Sequence, residues 1–385
     1  MNLVPFGSTC ILQNGRAFKP SEWSSEGVPI VRIQNLNDEL KPFNYCNFEV
    51  DKKFHVERGD LLFSWSGTPG TSFGAFFWMR GKGYLNQHIF RVDVDESKID
   101  KRYLRYAINS KLGQIIDQAH GGVGLKHITK GKLEAVEIPL PGLDEQQRVA
   151  VILGKAENLG RKRQQAIQLA DEFLRAVFLD MFGDPLSNPK NWDVKILKKL
   201  TSKIGSGATP KGGKEAYQEE GISLIRSLNI HDNKFLHKDL AFISEEQSGR
   251  LSNVVVERGD VLLNITGASV CRCAIVDDSV LPARVNQHVC ILRPESIPPN
   301  YLLHLLISAP YKRHLLSIAG AGGATREALT KTQVEDLPIP VPPQDILDKF
   351  DSICSRLKSL SVKKSAFAEE PILESLSQKA FSGEL

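Results

Sequence analysis

Apolar side chains recur at alternating steps of three and four residues through the middle of the chain, across residues 144–182. This heptad spacing predicts one long helix with an apolar seam, and such a seam requires a partner that covers it. Asp144 is predicted to cap the helix, and Gly183 followed by Pro185 is predicted to end it. The seam positions are Val149, Ile152, Ala156, Leu159, Arg163, Ala166, Ala170, Phe173 and Val177.

The same seam returns 201 residues later, which supplies a candidate partner from the same chain. Asp345 repeats the cap residue, and Lys364 repeats the one cationic position, Arg163. Pro371 has no backbone N–H, so we expect the second helix to kink or restart there. The second seam comprises Phe350, Ile353, Leu357, Leu360, Lys364 and Phe367.

The repeat extends beyond the helices. Val-Glu-Arg-Gly-Asp occurs at 56–60 and 256–260, Asn-Gln-His at 86–88 and 286–288, and Ile-Pro-x-Pro at 138–141 and 339–342. Between these motifs, short apolar runs broken by Gly, Pro and Asn predict mainly antiparallel sheets. The predicted strands are 29–33, 59–63, 73–78, 88–94, 223–225, 259–265 and 289–292, with helical segments at 101–118 and 300–318.

The sequence therefore predicts an α+β protein with an internal pseudo-twofold repeat. Two mainly-β domains are separated by two long helices whose apolar seams can cover each other. The predicted boundaries are 1–142 for the first domain, 143–185 for a central helical region with its linker, 186–343 for the second domain and 344–385 for a C-terminal helical region.

Composition and charge narrow the class of protein. The 385 residues are 41% hydrophobic and 24% charged, which is typical of folded domains. Each β domain has three more basic than acidic residues, and each helical region has one more acidic than basic residue. An excess of positive charge on the β domains suits an anionic partner. The N-terminus shows no basic stretch leading into an apolar run, so we expect a cytoplasmic protein.

Signatures of catalysis and metal binding are missing from the sequence. The six cysteines form no Cys-x-x-Cys pair, which argues against a zinc site and against a disulfide framework. The phosphate loop, the His-Glu-x-x-His zinc motif and the Gly-x-Ser-x-Gly nucleophile motif do not occur. Residues 188–192 do not match the Asn/Asp-Pro-Pro-aromatic loop that a DNA aminomethylase would need. We therefore expect no catalytic residues, no metal ligands and no cofactor in this chain.

Several loops carry residues suited to nucleic-acid contact, each with a structural alternative. Glycine-rich segments at 15–20 and 205–211 could present N–H groups and a lysine to phosphates, or simply link strands. Arginines that follow apolar strands could contact bases or form structural salt bridges. The turns 121–127 and 320–326 could approach a ligand or cap helices. The candidates are Arg16, Lys19, Arg32, Asn35, Trp65, Arg80, Lys82, Lys126, Thr209, Lys211, Arg226, Asn229 and Arg326.

The Asn-Gln-His triplets follow apolar residues rather than clustering with carboxylates. A structural role, with buried amides joining sheet to loop, is favoured, and direct base contact is the alternative. The segment 64–83 has no close match in 264–284, as expected if two related modules read different targets or if surface loops drift.

These features resemble the specificity subunit of type I restriction-modification systems. The resemblance rests on the two β halves, each ending in Ile-Pro-x-Pro and a long helix, and on two helix ends. Phe-Leu-Asp-Met-Phe-Gly-Asp-Pro closes the first helix at 178–185, and Gln-Lys-Ala-Phe-Ser-Gly-Glu-Leu closes the second at 378–385. Together they cover essentially the whole chain.

The resemblance implies two target-recognition domains that each read half of a bipartite site in double-stranded DNA. It implies that the two long helices pack as an antiparallel coiled coil. These helices set the gap and dock two methyltransferase (modification) subunits, to which restriction subunits add. S-adenosylmethionine, ATP and Mg would belong to those partners. The second helix departs from the family pattern, because Pro-Pro-Gln-Asp replaces the usual Pro-Leu-x-Glu-Gln. A stand-alone bipartite DNA-binding regulator is the alternative.

Helix length agrees with the scale of such a site. A helix of roughly 38 residues spans about 57 Å, which exceeds the ~34 Å between half-sites one DNA turn apart. A rigid helix can therefore set the gap between half-sites. Because the two β domains differ in sequence, the predicted site is asymmetric.

Overall fold

The computed structural model describes residues 2–38, 40–67, 73–119, 126–210, 212–320, 327–365 and 372–385. The side chains of residues 37, 126, 214 and 360–365 also lie outside the description. The chain divides into two compact units. The first is Met1–Gln164 with Ala368–Leu385, and the second is Gln165–Phe367. Each unit therefore contains one predicted β domain together with parts of both predicted helical regions.

The elements up to the end of the central helix fall into strands and helices in the following order. The strands are β1 (Leu3–Pro5), β2 (Cys10–Asn14), β3 (Val28–Val31), β4 (Asn44–Cys46), β5 (His55–Val56), β6 (Leu61–Ser64), β7 (Ser66–Gly67), β8 (Gly74–Phe77), β9 (Gly83–Leu85), β10 (Ile89–Val94), β11 (Lys126–His127) and β12 (Glu137–Pro139). The helices are α1 (Ile33–Asn37), α2 (Lys101–Asn109), α3 (Leu112–Gln118), α4 (Lys130–Glu134) and α5 (Leu143–Phe182).

The remaining elements repeat much of that order. The strands are β13 (Asp193–Ile196), β14 (Thr201–Ser206), β15 (Ile222–Ile225), β16 (Ile230–His231), β17 (Lys234–Phe235), β18 (Ala241–Ile243), β19 (Val255–Val256), β20 (Val261–Asn264), β21 (Cys273–Ile275), β22 (Ala283–Val285), β23 (Val289–Pro294) and β24 (Pro338–Val341). The helices are α6 (Glu245–Gly249), α7 (Pro299–Ile307), α8 (Ala309–Gly320), α9 (Lys331–Glu335), α10 (Gln344–Ser365) and α11 (Ile372–Ser382).

The two units have the same sheet topology. In the first unit the four-stranded sheets run β2-β10-β6-β8 and β4-β3-β9-β5, and in the second they run β14-β23-β20-β21 and β18-β15-β22-β19. Every neighbouring pair in these sheets is antiparallel except β3 with β9 and β15 with β22. The prediction of a mainly antiparallel fold with an internal repeat is confirmed.

The predicted helical segments after the Asn-Gln-His strands each form two helices. In the first unit α2 ends before Ser110, whose hydroxyl donates to the carbonyl of Ala107 at 2.7 Å. In the second, α7 ends before Ser308, whose hydroxyl donates to Leu305 at 2.8 Å, and Pro310 follows. A serine that bonds back to the helix and a proline without an N–H both favour a break.

The repeated Val-Glu-Arg-Gly-Asp motif forms the same turn in both units. Gly59 and Gly259 have φ values of +94° and +81°, which glycine adopts without the strain a Cβ would cause. Asp60 accepts a hydrogen bond from the backbone N–H of Glu57 at 2.8 Å, and Asp260 accepts from that of Glu257 at 2.7 Å. The motif therefore recurs for a structural reason, because it turns the chain into β6 and β20.

In the first unit, the start of α5 and the C-terminal helix α11 join one hydrophobic core. Val149 and Leu153 from α5 and Ala380 from α11 are buried in it together with Tyr103 of α2. The rings of Tyr103 and Phe381 lie 5.7 Å apart, and the Tyr103 hydroxyl donates to the carbonyl of Pro139 at 3.0 Å.

In the second unit, the end of α5 packs with the start of α10. Phe178 and Phe182 from α5 surround Phe350 from α10, with ring centroids 5.6 and 5.3 Å from it. Tyr301 of α7 completes the group, and its hydroxyl donates to the carbonyl of Pro340 at 2.7 Å. Within each unit α5 therefore packs with a C-terminal helix, its start with α11 in the first unit and its end with α10 in the second.

The seam predicted on α5 is only partly the buried one. Leu159 and Phe173 are 56% and 52% exposed, contrary to the prediction that they lie in the helix interface. Towards the helix end the buried side chains are Leu174, Phe178 and Phe182, and the first two lie one residue beyond the predicted Phe173 and Val177. A helix with 3.6 residues per turn drifts by about 20° per heptad, so a strict heptad seam rotates away from the core.

The other predicted interface residues vary in burial. Val149 and Phe350 are buried, whereas Ile152, Arg163, Ile353 and Leu357 are half-buried. The side chains of Leu360 and Lys364, and all of Phe367 and Pro371, lie outside the described residues.

The predicted helix caps need correction. Gln146 donates its backbone N–H to the carbonyl of Gly142 at 3.0 Å, so α5 begins at Leu143 and Asp144 lies within its first turn. Asp345 likewise lies in the first turn of α10, where Leu347 donates to Pro343 at 3.2 Å. A carboxylate there still favours the helix, because it faces the positive end of the helix dipole. Gly183, with φ of +74°, ends α5 as predicted.

Candidate nucleic-acid interface

The Asn-Gln-His triplets form the turn that connects the two sheets of each unit. Asn86 and Asn286 are 7% and 5% exposed. The backbone N–H of Asn86 donates to Val31 at 3.2 Å, and that of Asn286 donates to Ile225 at 3.1 Å. These contacts support the structural role that the sequence favoured for the asparagines. The glutamine and histidine that follow differ between the units.

In the second unit the triplet side chains complete a hydrogen-bond chain. Thr209 donates to Oε1 of Gln287, whose Nε2 lies 3.1 Å from Nε2 of His288. The other ring nitrogen of His288, Nδ1, lies 2.6 Å from the hydroxyl of Thr266. Because the Gln287 amide donates to Nε2, the neutral ring carries its proton on Nδ1 and donates it to Thr266. Both ring nitrogens therefore have partners.

In the first unit, one polar atom of each of these two side chains has no partner among the described residues. Nε2 of Gln87 lies 3.2 Å from Nε2 of His88, as in the second unit. However, Oε1 of Gln87 and Nδ1 of His88 are buried and accept or donate no hydrogen bond within the described protein. Nε1 of Trp65 is in the same condition, and its ring lies 5.5 Å from that of His88. Burial, followed by the nearby charge of Arg32, lowers the pKa of His88, so the ring is neutral near pH 7.

The backbone around these side chains is the same in both units. The N–H of Trp65 donates to His88 at 3.3 Å, and the N–H of Ile128 donates to Trp65 at 3.1 Å. Ile265 makes the corresponding bonds with His288 at 3.0 Å and with Leu329 at 2.8 Å. Trp65 thus occupies the place of Ile265, so the two units differ in side-chain chemistry on one backbone frame.

The glycine-rich segments link strands at this turn. A Cβ on Gly15 would collide with the carbonyl of Asn86, and one on Gly207 would collide with that of Val285. The N–H of Gly15 donates to Ile89 at 3.2 Å and that of Gly207 donates to Asn286 at 3.1 Å. These N–H groups are therefore occupied by the protein, which favours the strand-linking alternative. Lys19 is exposed in its loop, and Lys211 lies outside the described residues.

The repeated Arg-x-x-Asn motif shapes a loop in each unit. Asn35 is 1% exposed; its Oδ1 accepts from the N–H of Arg32 at 3.2 Å and its Nδ2 donates to Lys41 at 3.1 Å. Asn229 is fully buried and does the same with Arg226 at 3.1 Å and Leu236 at 2.9 Å. Both ends of each amide are occupied, so these asparagines hold the loop rather than face a ligand, contrary to the expectation of DNA contact.

The candidate arginines stack on aromatic rings. The guanidinium of Arg32 lies 5.1 Å from the ring of Trp23 and donates to Asn44 at 2.8 Å. Arg226 lies 5.2 Å from Tyr217 and donates to the carbonyl of Asp239. Such contacts fix the orientation of a guanidinium. Both arginines remain half-buried, with part of their surface open to solvent.

The other candidates are placed as follows. Arg16 pairs with Glu22 and lies 4.7 Å from the ring of Phe18. Arg80 lies between Phe43 and Trp78, at 4.7 and 4.6 Å, and donates to the carbonyl of Asn35. Lys82 is exposed. The side chain of Lys126 and the whole of Arg326 lie outside the described residues.

The sequence signal for the Gln-His pair was its recurrence, but recurrence could not show which copy is satisfied internally. That depends on Thr209, Thr266 and Trp65, which are distant in sequence from the pair.

Across the described residues, His, Cys, Asp and Glu side chains form no group of three able to hold a metal ion. Within the same part of the chain, no helix combines the length and apolar character needed to span a bilayer. All six cysteines are buried free thiols.

Comparison with known proteins identifies the family. The family model for the type I restriction modification DNA specificity domain matches residues 4–169 and again 189–364. The specificity subunit of the Escherichia coli type I restriction enzyme EcoBI is 24% identical, over 99% of this chain and 85% of that protein. That of the Methanocaldococcus jannaschii enzyme MjaVIII is 25% identical, over 81% of this chain and 74% of the relative.

A solved structure shares the fold. The type I restriction-modification S subunit from M. genitalium superposes with a TM-score of 0.60 at 16% identity, covering 99% of this chain and 96% of that one. Two copies of the family domain match most of the sequence, in the positions of the internal repeat. This chain therefore belongs to the type I restriction-modification DNA specificity family, whose members are non-catalytic subunits that give the enzyme complex its DNA sequence specificity.

Proposed function

We propose that each unit reads one half of an asymmetric, bipartite site in double-stranded DNA, with residues 1–142 reading the first half-site and 186–343 the second. The observation that carries this proposal is the repeat of one sheet topology with different side chains at equivalent positions. Trp65 and Ile265 share one backbone environment, and so do Ala17 and Thr209 next to the Asn-Gln-His turn. Two units with the same backbone fold but different side chains at equivalent positions are suited to bind two related but different half-sites.

The long helices are the proposed docking surface for modification subunits, with two such subunits in the complex. Large apolar side chains on α5 are left exposed by the chain itself, which is unusual for a surface without a partner. These exposed side chains are Val151, Leu159, Ile167, Leu169, Phe173 and Leu179. Restriction subunits would join through that assembly.

Catalytic groups and cofactors belong, on this proposal, to the partner subunits. S-adenosylmethionine would serve the modification subunits, and ATP with Mg would serve the restriction subunits. On this proposal the protein works in the cytoplasm, where the chromosome is accessible.

The proposal is tested by exchanging residues 1–142 for the equivalent domain of another specificity subunit and co-expressing the chimera with its modification subunits. Sequencing of methylated genomic DNA should show one changed half-site and one unchanged half-site. A change in both half-sites, or in neither, would refute the division of reading between the units.

Leu169→Asp with Phe173→Asp should abolish co-purification of the modification subunits, and retention of both partners would contradict docking on α5.

A further inference from the structure

We propose that Trp65, Gln87 and His88 form a base-contacting pocket in the first unit, and that the equivalent residues of the second unit do not contact bases. This inference rests on the proposed function, because it assigns one of the DNA contacts. It takes as its ligand the edge of a base pair that presents an amino hydrogen beside an acceptor, such as N6 and N7 of adenine.

Buried hydrogen-bonding groups that lack a partner carry a free-energy cost. A buried donor or acceptor without a partner destabilises a fold, so native proteins satisfy nearly all of them. Trp65 Nε1, Gln87 Oε1 and His88 Nδ1 are all buried and find no partner in the described part of the chain, and they belong to residues in contact with one another. Three such groups in one place indicate a ligand that supplies the missing hydrogen bonds.

The second step is the chemistry of the three groups. Trp65 Nε1 is a donor and Gln87 Oε1 is an acceptor. Because Nε2 of His88 accepts from the Gln87 amide, Nδ1 carries the proton and is a second donor. A phosphate offers only acceptors and would place negative charge against Gln87 Oε1. A base edge offers both kinds of group, and the amino group of adenine or cytosine can donate to Gln87.

The third step is the contrast with the second unit. There, Thr209 donates to Gln287 and Thr266 accepts from His288, so the same turn is satisfied by the protein. Ala17 replaces Thr209 in the first unit, because β2 and β14 end at corresponding pairs with β10 and β23. Because Ala17 has no hydroxyl, Gln87 Oε1 does not receive the hydrogen bond that Thr209 gives to Gln287. The two units therefore contact DNA through non-equivalent side chains.

The experiment uses the full chain assembled with its modification subunits. Gln87→Met removes the amide, and Trp65→Phe removes only the N–H while keeping an aromatic ring. Binding is measured on duplexes carrying the mapped site and on duplexes with each base pair of the first half-site replaced in turn. Each variant should lose about tenfold discrimination at one position of the first half-site and keep discrimination in the second.

The matched control is Gln287→Met, which should leave discrimination at both half-sites within about twofold. If the affected position is an adenine, replacing it with purine, which lacks the amino group, should weaken binding by the wild-type complex but not by the Gln87→Met complex. Thermal unfolding of each variant checks that the fold is retained.

Unchanged discrimination in both first-unit variants would overturn the pocket, and so would an equal loss in the Gln287→Met control. These outcomes are distinct from failure of the proposed function. In that case the wild-type complex itself would show no bipartite recognition, whereas failure of the pocket alone leaves the wild-type site intact.

Discussion

Each unit has a helix junction, formed where the start of α5 packs in the first unit and the start of α10 packs in the second. Equivalent positions at these two junctions carry a polar side chain in the first unit and an apolar one in the second. In the first unit, Gln146 of α5 is fully buried; its Oε1 accepts from the N–H of Asp100 at 2.8 Å and its Nε2 donates to Pro141 at 2.8 Å. The repeat places Leu347 at the equivalent position in the second unit, where it is buried among apolar side chains. A buried amide is tolerated only where the backbone supplies its partners.

Charged groups follow the same division. In the first unit Arg105 pairs with Glu157 of α5, and Tyr106 donates to that carboxylate at 2.7 Å. Burial alone would raise the pKa of Glu157, but the hydrogen bonds from Arg105 and Tyr106 outweigh it and lower the pKa. The second junction instead stacks rings, with His304 lying 5.3 Å from Phe350 and 6.4 Å from Phe178. A polar and an aromatic junction can therefore hold one topology while differing in their sensitivity to substitution and pH.

The largest expected effect is that of Phe350→Ala. The ring is fully buried, so its removal leaves a cavity and should lower the free energy of unfolding of the second unit by about 3–5 kcal/mol. Val149→Ala, at the equivalent position of the first unit, should cost roughly 2 kcal/mol because fewer methyl groups are lost. Hydrogen exchange with mass spectrometry measures each unit separately in the full chain. Equal losses of protection in α2 and α7 would contradict a more tightly packed second junction.

The next effect is a dependence on pH that belongs to the second unit. Burial, with a smaller contribution from Arg175, lowers the pKa of His304 from its ordinary value of 6.5 to about 4. The unfolded chain therefore binds a proton first as the pH falls. Stability from the neutral ring is complete above pH ~6.5 and declines by up to about 3 kcal/mol as the pH falls to about 4.

His304→Phe should remove this decline while retaining an aromatic ring in the junction. Denaturant unfolding between pH 7.5 and ~4, followed by exchange into α7, provides the measurement. A variant whose stability falls with pH as steeply as the wild type would show that another group titrates there.

The smallest expected effect is that of Gln146→Leu, which gives the first junction the residue of the second. The substitution leaves the N–H of Asp100 and the carbonyl of Pro141 buried without their partner, so we expect a loss of about 1–3 kcal/mol. Exchange at residues 98–104 should increase, since these amides adjoin the lost bond. Gln146→Met, which keeps the length of the side chain and also lacks the amide, serves as the control for shape. A neutral or stabilising Gln146→Leu would show that the amide contributes nothing to the junction.

The architecture could be predicted from the sequence because it depends on local signals that occur twice along the chain. The long helix was visible from its apolar spacing and from Gly183, and the equivalence of the two halves was implied by motifs that recur at a nearly constant offset. Predictions from the sequence were wrong where the outcome depends on contacts between segments that are distant in the chain. Phe173 fits the heptad and yet is exposed, because the pitch of the helix, rather than the pattern alone, decides which side meets the core.

The candidate site shows the same limit. Asn35 and Asn229 resemble exposed recognition residues in sequence, but the backbone of a loop several residues away occupies their amides. Nothing adjacent to Gln87 or Gln287 in sequence distinguishes an open glutamine from a satisfied one. The difference comes from Thr209 and Thr266, whose hydroxyls bond Gln287 and His288 in the second unit. At the equivalent positions of the first unit, Ala17 has no hydroxyl and Ser66 does not bond Nδ1 of His88.

By itself the sequence determined two related β modules, each joined to a helical segment, and a chain without the motifs of catalysis. The sequence shows the apolar periodicity, the positions of glycine and proline, and the internal repeat. These features can be recognised without coordinates, because they are properties of residues close together in the chain. Only the tertiary structure decided which face of α5 is buried, which asparagines are internal and which Asn-Gln-His turn keeps open hydrogen-bonding groups. Those outcomes depend on side chains that folding brings together from far apart in the chain.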